Sequence, residues 1–208
     1  MFKSIRMIAC AAGAIAFMGL GSCSGGSEKG LFGNLTSEYA EMMTERDELK
    51  KEAENIKTEA EKAEFIEKGK KLDEKWSEKL EESAKELDGK QLEVTDSLFK
   101  VTTPLTLEFE KLLGSNLEPN FKVDGAAETT HEITKENTYL GTLIVYLAGY
   151  DKDGKELFTS EIGKVEGKLT DDKLVVPAGA PVKFTSLRFN DKYVKEYPET
   201  TSMMLITK

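Results

Sequence analysis

Histidine and cysteine are nearly absent from this chain of 208 residues, which has one His, at position 131, and two Cys, at positions 10 and 23. One imidazole and two thiols near the N-terminus cannot assemble a structural zinc site, and they offer no internal disulfide framework. Arginine is scarce as well, and 38 acidic residues outweigh 29 basic ones for a net charge of −9. That balance lacks the basic footprint of a nucleic-acid binder, so no nucleic-acid partner is expected. No apolar run after residue 20 approaches the roughly 20 residues that a membrane-crossing helix needs.

What is present begins at the N-terminus. Lys3 and Arg6 form a short positive region, and an apolar run of 14 residues follows from Met7 to Leu20. A charged start and an apolar run too short to span a bilayer read as a secretory signal peptide over residues 1–22. The run ends in Leu20-Gly21-Ser22-Cys23, an aliphatic residue, two small residues and a cysteine, which resembles the lipobox of bacterial lipoprotein precursors. The resemblance implies cleavage between Ser22 and Cys23 and lipid attachment at the Cys23 sulfur. Two or three acyl chains would hold such a protein stably at a membrane, each buried methylene adding about 0.8 kcal/mol. Cys10 would leave with the signal segment, and loss of Lys3 and Arg6 takes the net charge from −9 to −11. A chain that acidic is repelled by anionic headgroups, so the acyl chains alone are expected to provide the membrane contact. Position 24 is serine rather than aspartate, which by resemblance to proteobacterial sorting rules implies delivery to the outer membrane, on its periplasmic face or the cell surface. Residues 23–34 are rich in glycine and polar groups and read as a flexible tether.

From Leu35 to Leu87 the only helix breaker is Gly69, in a composition of Glu, Lys, Ala and Leu, and residues 35–89 are expected to be helical. Thr36 or Ser37 is the expected N-cap, with Asp88-Gly89 as the stop. At about 100° per residue, Leu35, Tyr39, Met42, Leu49, Ala53 and Ile56 share one face, whereas Leu72, Trp76, Leu80, Ala84 and Leu87 share nearly the opposite one. Two stripes facing apart predict either a helical hairpin broken near Glu64 to Lys71, at Gly69, or one long helix with two different partners. The acidic and basic side chains between the stripes read as a solvated, pair-stabilised surface. Trp76 lies on its stripe as a packing residue.

Residues 90–208 change to short runs of Val, Ile, Leu, Phe, Tyr and Thr between turn signals. Strands are predicted at 91–95, 99–102, 105–112, 138–150, 156–162, 174–176, 182–189 and 202–207. The fold class is therefore α+β, with the helical segment followed by an antiparallel β-sandwich. Leu143 to Ala148 is nearly continuous in apolar residues and is expected to be central, with the helical segment covering one side. The apolar parity changes at Thr185-Ser186, where a bulge or a strand end is predicted. Asp151 and Asp153 lie two apart before Gly154, but that glycine comes too early for a calcium loop, so a hairpin turn is expected. The hairpin Tyr150-Asp151-Lys152-Asp153-Gly154-Lys155 and the later Val176-Pro177-Ala178-Gly179-Ala180-Pro181 together resemble small immunoglobulin-like domains of bacterial envelope lipoproteins, the FxLYD type among them. The resemblance covers about 50 residues and implies no chemistry.

Gly114 to Asn137 reads as a long polar connection with a short strand at 121–123. Its His131-Glu132 lacks the second histidine of a metalloprotease helix, position 135 being Lys. Neither Ser115 nor Ser186 sits in a nucleophile-turn pattern that could use His131. Carboxylates such as Glu108, Glu110 and Glu132 are too common in an acidic chain to mark catalysis. No catalytic residue, metal site or cofactor is expected. The expected role is a non-enzymatic envelope lipoprotein that binds a protein or a glycan, or a structural or assembly subunit that uses its helical segment against partner helices.

Overall fold

A computed structural model describes residues 31–136 and 140–208. The signal segment, the cleavage point at Ser22 and Cys23, and most of the tether lie outside the described residues. Among the described residues two helices come first, α1 (Gly33–Ala53) and α2 (Glu59–Lys85), packed against each other as a hairpin. The break falls at residues 54–58, ten residues before the expected position. Thr58 is the reason, because its hydroxyl accepts from the Glu61 N–H while the Glu61 carboxylate accepts from the Thr58 N–H. This reciprocal capping box satisfies donors that a continuing helix would have to bond elsewhere. Gly69 stays inside α2, where a methyl group in its place would meet the Leu49 side chain at an ordinary 3.8 Å.

The start of α1 also departs from expectation. Phe32 is the N-cap position and is fully buried, so packing begins two residues before the expected end of the tether. Thr36, one of the two expected caps, is buried on the inner face of α1, while Ser37 donates back to the Gly33 carbonyl at 3.1 Å. Gly89 does adopt positive φ (73°), and its N–H bonds the Leu107 carbonyl at 2.8 Å, which turns the chain from α2 into the sheet.

Eleven strands follow among the described residues: β1 (Gln91–Leu92), β2 (Phe99–Leu113), β3 (Glu118–Thr129), β4 (Ile133–Glu136), β5 (Thr142–Tyr150), β6 (Glu156–Glu166), β7 (Lys168–Thr170), β8 (Lys173–Val176), β9 (Val182–Phe184), β10 (Ser186–Arg188) and β11 (Ser202–Ile206). A short helix α3 (Asp191–Glu196) and a 3-10 turn (Tyr197–Glu199) stand between β10 and β11. One four-stranded sheet has the order β1-β2-β3-β10, a second β11-β5-β6-β9, and a three-stranded sheet β4-β8-β7 completes the α+β fold. All their strand pairs are antiparallel.

Several expectations are corrected here. The two strands predicted at 99–102 and 105–112 are one strand, with register irregularities from Val101 to Thr106 that absorb Pro104. The supposed polar connection at 114–137 is mostly β3 and β4. The parity change at Thr185-Ser186 is a change of sheet: β9 pairs with β6, Thr185 bonds the Ile162 carbonyl at 2.8 Å, and β10 then pairs with β3. β5 is central in its sheet, between β11 and β6, but the helices pack on β2, β3 and α3 instead. On the other side, Thr95 bridges Met204 in parallel, so the two four-stranded sheets meet along both lateral borders.

One buried cluster joins the helices to the sheets, running from Phe32, Tyr39 and Trp76 through Leu107, Phe121 and Val145 to Leu205. Burial on the helices is confined to their base: Leu35, Tyr39 and Met42 on α1, and Trp76, Leu80 and Ala84 on α2. The remaining turns have no buried residue, although Met43 and Leu72 still pack against the core and the stem shares a groove with Ser115 and Asn116 of the β2–β3 turn. Trp76 closes the base, its Nε1–H donating to Glu45 at 2.9 Å, with the Lys75 and Lys79 ammonium groups 4.6 and 4.7 Å from its ring centre. The Lys75 and Trp76 hydrogen bonds hold the Glu45 carboxyl below its ordinary value of 4.5. A depressed carboxyl stabilises the fold above its ordinary pKa, and that contribution is lost as pH falls through the lower folded value. Trp76 fluorescence should therefore titrate in acid with a midpoint below 4.5, and Glu45→Gln should remove that transition.

Candidate cleft between the two sheets

β1 and β11 converge at one end and diverge at the other. Where they converge, Thr95 N–H donates to the Met203 carbonyl at 2.8 Å and Ser97 Oγ donates to the Leu205 carbonyl at 2.8 Å. Where they diverge, a cleft of about 400 Å³ opens between Gln91 and Glu93 on one side and Thr200 to Met203 on the other. Leu31 and Tyr197 complete its lining. The cleft is within the size range of small-ligand sites.

Tyr197 is placed by an aromatic cluster. The Phe32 ring lies 4.9 Å from that of Tyr197, 5.4 Å from that of Tyr193 and 5.5 Å from that of Phe189. Two of these contacts are edge-on, the geometry that ring quadrupoles favour. α3 carries Tyr193 into the cluster because the Asn190 side chain caps it, accepting from Lys192 N–H at 3.1 Å. The Tyr197 hydroxyl accepts from Leu31 N–H at 3.1 Å. Burial pushes the Tyr197 phenol above its ordinary range, the Leu31 hydrogen bond opposes that shift, and the Glu93 charge adds to it. Tyr197 is thus a neutral hydroxyl at physiological pH. Glu93 is the charged side chain among the lining residues, and the rest offer hydroxyls, one amide and the apolar surfaces of Leu31 and Met203.

The weighed catalytic candidates are not gathered anywhere. Glu108 faces Lys122 at 3.5 Å, and Glu110 accepts from the buried Asn120 amide at 2.7 Å. Glu132 lies beyond Thr129 at the far end of the β2–β3 hairpin, and Thr129 is itself seven residues past Lys122, roughly 23 Å along β3. His131 is exposed and its Nδ1 is 2.9 Å from the Thr130 hydroxyl. Ser115 lies beside a groove at the hairpin base, and Ser186 pairs within β10. The Asp151 carboxylate accepts from the N–H groups of Asp153 and Lys155, both at 2.9 Å, and Gly154 has φ 78°, as a hairpin turn requires. Among the described residues no cluster of three or more His, Cys, Asp or Glu could hold a metal ion, and no helix is long and apolar enough to cross a membrane.

Sequence reasoning did not find this cleft, because its walls come from three distant stretches with no shared spacing. The one available signal was Glu93 in the middle of the strand predicted at 91–95. Compared with family models, curated proteins and solved structures, the chain matches none of them.

Proposed function

We propose that this chain is a membrane-anchored bacterial envelope lipoprotein, most simply of the outer membrane, whose folded body is a non-enzymatic binding module for a protein or glycan. Its Cys23 carries the lipid, and its strands form an immunoglobulin-like sandwich. The lipobox Leu20-Gly21-Ser22-Cys23 supports the anchor, and antiparallel pairing with a chain that crosses between sheets at Thr185 supports the sandwich. The observation that carries the binding role is the cleft at the diverging ends of β1 and β11, which is open and lined by polar groups. The carboxylates that could have argued for hydrolysis are engaged by Lys122 and Asn120.

A second reading has its own observation. Beyond Met42 on α1 and before Trp76 on α2 the hairpin buries none of its residues, and its α2 stem carries Ile66 half-exposed. A hairpin whose stem is this little buried suits a subunit that docks on partner helices.

One experiment tests all three statements. Cys23→Ala should move the protein from the membrane to the soluble fraction, and retention in the membrane would reject the lipid anchor. Photo-crosslinkers placed at Thr201 in the cleft and at Ile66 on the hairpin, used in intact cells, assign the binding surface. Capture through Thr201 supports the module, and capture through Ile66 alone replaces it with the assembly subunit.

A further inference from the structure

The backbone of β1 specifies what the cleft can hold. Leu107 N–H donates to the Lys90 carbonyl at 3.0 Å, and Leu92 is the Cα partner of Leu105, so Lys90 and Leu92 turn their backbone groups toward β2. Antiparallel alternation then turns the N–H and C=O of Gln91 and Glu93 the other way. Thr95 belongs to the same alternating set and already uses its outward N–H to bond Met203. The ladder between this strand and β11 therefore starts at Thr95 and is interrupted at Glu93 and Gln91, where the two strands part and the cleft opens.

Resting on the binding-module reading above, we propose that the cleft takes an extended peptide segment of a partner protein, which adds as a strand to the Gln91–Glu93 edge and places a Lys or Arg side chain against Glu93. Outward backbone groups on a strand edge are a template for another strand, and main-chain hydrogen bonds supply affinity in such additions while side-chain pockets supply selectivity. Three residues of extended chain span about 10 Å, in keeping with the outward groups of Gln91 in β1 and of Glu93 just past its end. Charge decides the partner's sign: Glu93 is the acidic side chain of the lining in a chain of net charge −9, so an acidic segment is repelled and a basic one attracted. A glycan fits less well, since the aromatic ring at the cleft, Tyr197, is committed to Phe32 at 4.9 Å.

The test uses the full mature chain and three synthetic decapeptides of alternating Thr and Val. One has Lys at its centre, one has Glu, and one repeats the Lys peptide with N-methyl groups on alternate backbone nitrogens. Amide hydrogen exchange is read at Gln91 and Glu93 together with binding by fluorescence anisotropy. The Lys peptide should bind and slow exchange at both amides at least tenfold. The Glu peptide should bind at least tenfold more weakly, with Glu93→Lys reversing that preference, and N-methylation should abolish binding. Gln91→Pro removes one outward N–H at an edge position that tolerates proline; it should weaken the Lys peptide while leaving the thermal midpoint unchanged. Equal binding of the methylated peptide, no binding of any peptide, or protection of both amides before peptide is added would each overturn the strand addition. If Thr201 still crosslinks an envelope component when the peptides fail, the binding module stands and only the strand addition falls. If both fail, both readings fall together.

Discussion

Trp76→Ala should lower the stability of the folded body by about 3–5 kcal/mol, the range for truncating a fully buried aromatic residue. For a domain of this size that corresponds to a fall in melting temperature of roughly 6–20 °C. Two losses add. The indole is completely buried between α1, α2 and the sheet, and its removal leaves a cavity that a helix pinned by other contacts cannot fill by collapsing. The same change deprives Glu45 of the indole N–H and leaves the Lys75 and Lys79 ammonium groups without the ring face they rest on. Trp76→Phe separates the two contributions. It keeps most of the ring volume and loses the N–H, so its cost should be about 1–2 kcal/mol. Thermal and urea unfolding measure both variants, and equal costs would show that the hydrogen bond rather than the packing dominates.

Phe32→Ala should have a comparable equilibrium effect, again about 3–5 kcal/mol, with a different local consequence. Phe32 touches the rings of Phe189, Tyr193 and Tyr197 at once and is the residue through which the chain enters the body. Its loss removes the packing that holds Leu31 N–H against the Tyr197 hydroxyl. Exchange at the Leu31 amide should therefore accelerate far more than exchange at the Leu107 or Val145 amides in the sheets, and the cleft should lose one wall. Uniform acceleration across all three positions would mean that Phe32 contributes only to global stability. Leu80→Ala serves as the comparison, since it truncates another fully buried side chain on the opposite helix.

The parts of this fold that were legible are those in which side-chain volume follows the backbone period. Leu105 and Leu107 alternate with Thr106 and Glu108, and β5 runs apolar from Leu143 to Ala148, so both strands could be read directly. β3 could not. Phe121 and Val123 alternate correctly, but beyond Gly125 the inward positions pass to Ala127 and Thr129, which are buried yet carry almost no hydrophobic signal. At Gly125 itself φ is 138° and an added Cβ would lie 2.6 Å from the Pro104 carbonyl oxygen, so this glycine is a point of close strand approach. β8 was read, as the strand predicted at 174–176, but β7 before it was hidden for a related reason. Their turn uses Asp171 and Asp172, both at positive φ, where Asn-Gly or Asp-Gly would have announced it. In the helical hairpin the right signal was present, Thr58 with Glu61 three residues later, and Gly69 outweighed it. A capping box stops a helix by offering alternative bonds, whereas one glycine in a helix costs only about 1 kcal/mol.

The closure of the two sheets would matter if the proposed lipid anchor concentrates the protein on a surface. Neighbours held at one level meet repeatedly in the same orientation, and exposed strand edges would then nucleate aggregation between copies. Here the chain itself seals one border by crossing from β9 to β10, and Thr95 with Ser97 seals most of the other. The third sheet ends in strands of four and three residues that carry Lys135 and Lys168, short and charged as protected edges are. The stretch left open, Gln91 to Glu93, is recessed in a cleft and carries the same negative charge in every copy. Two molecules brought edge to edge would oppose Glu93 to Glu93, so the feature that admits a basic strand from elsewhere also keeps identical copies from polymerising.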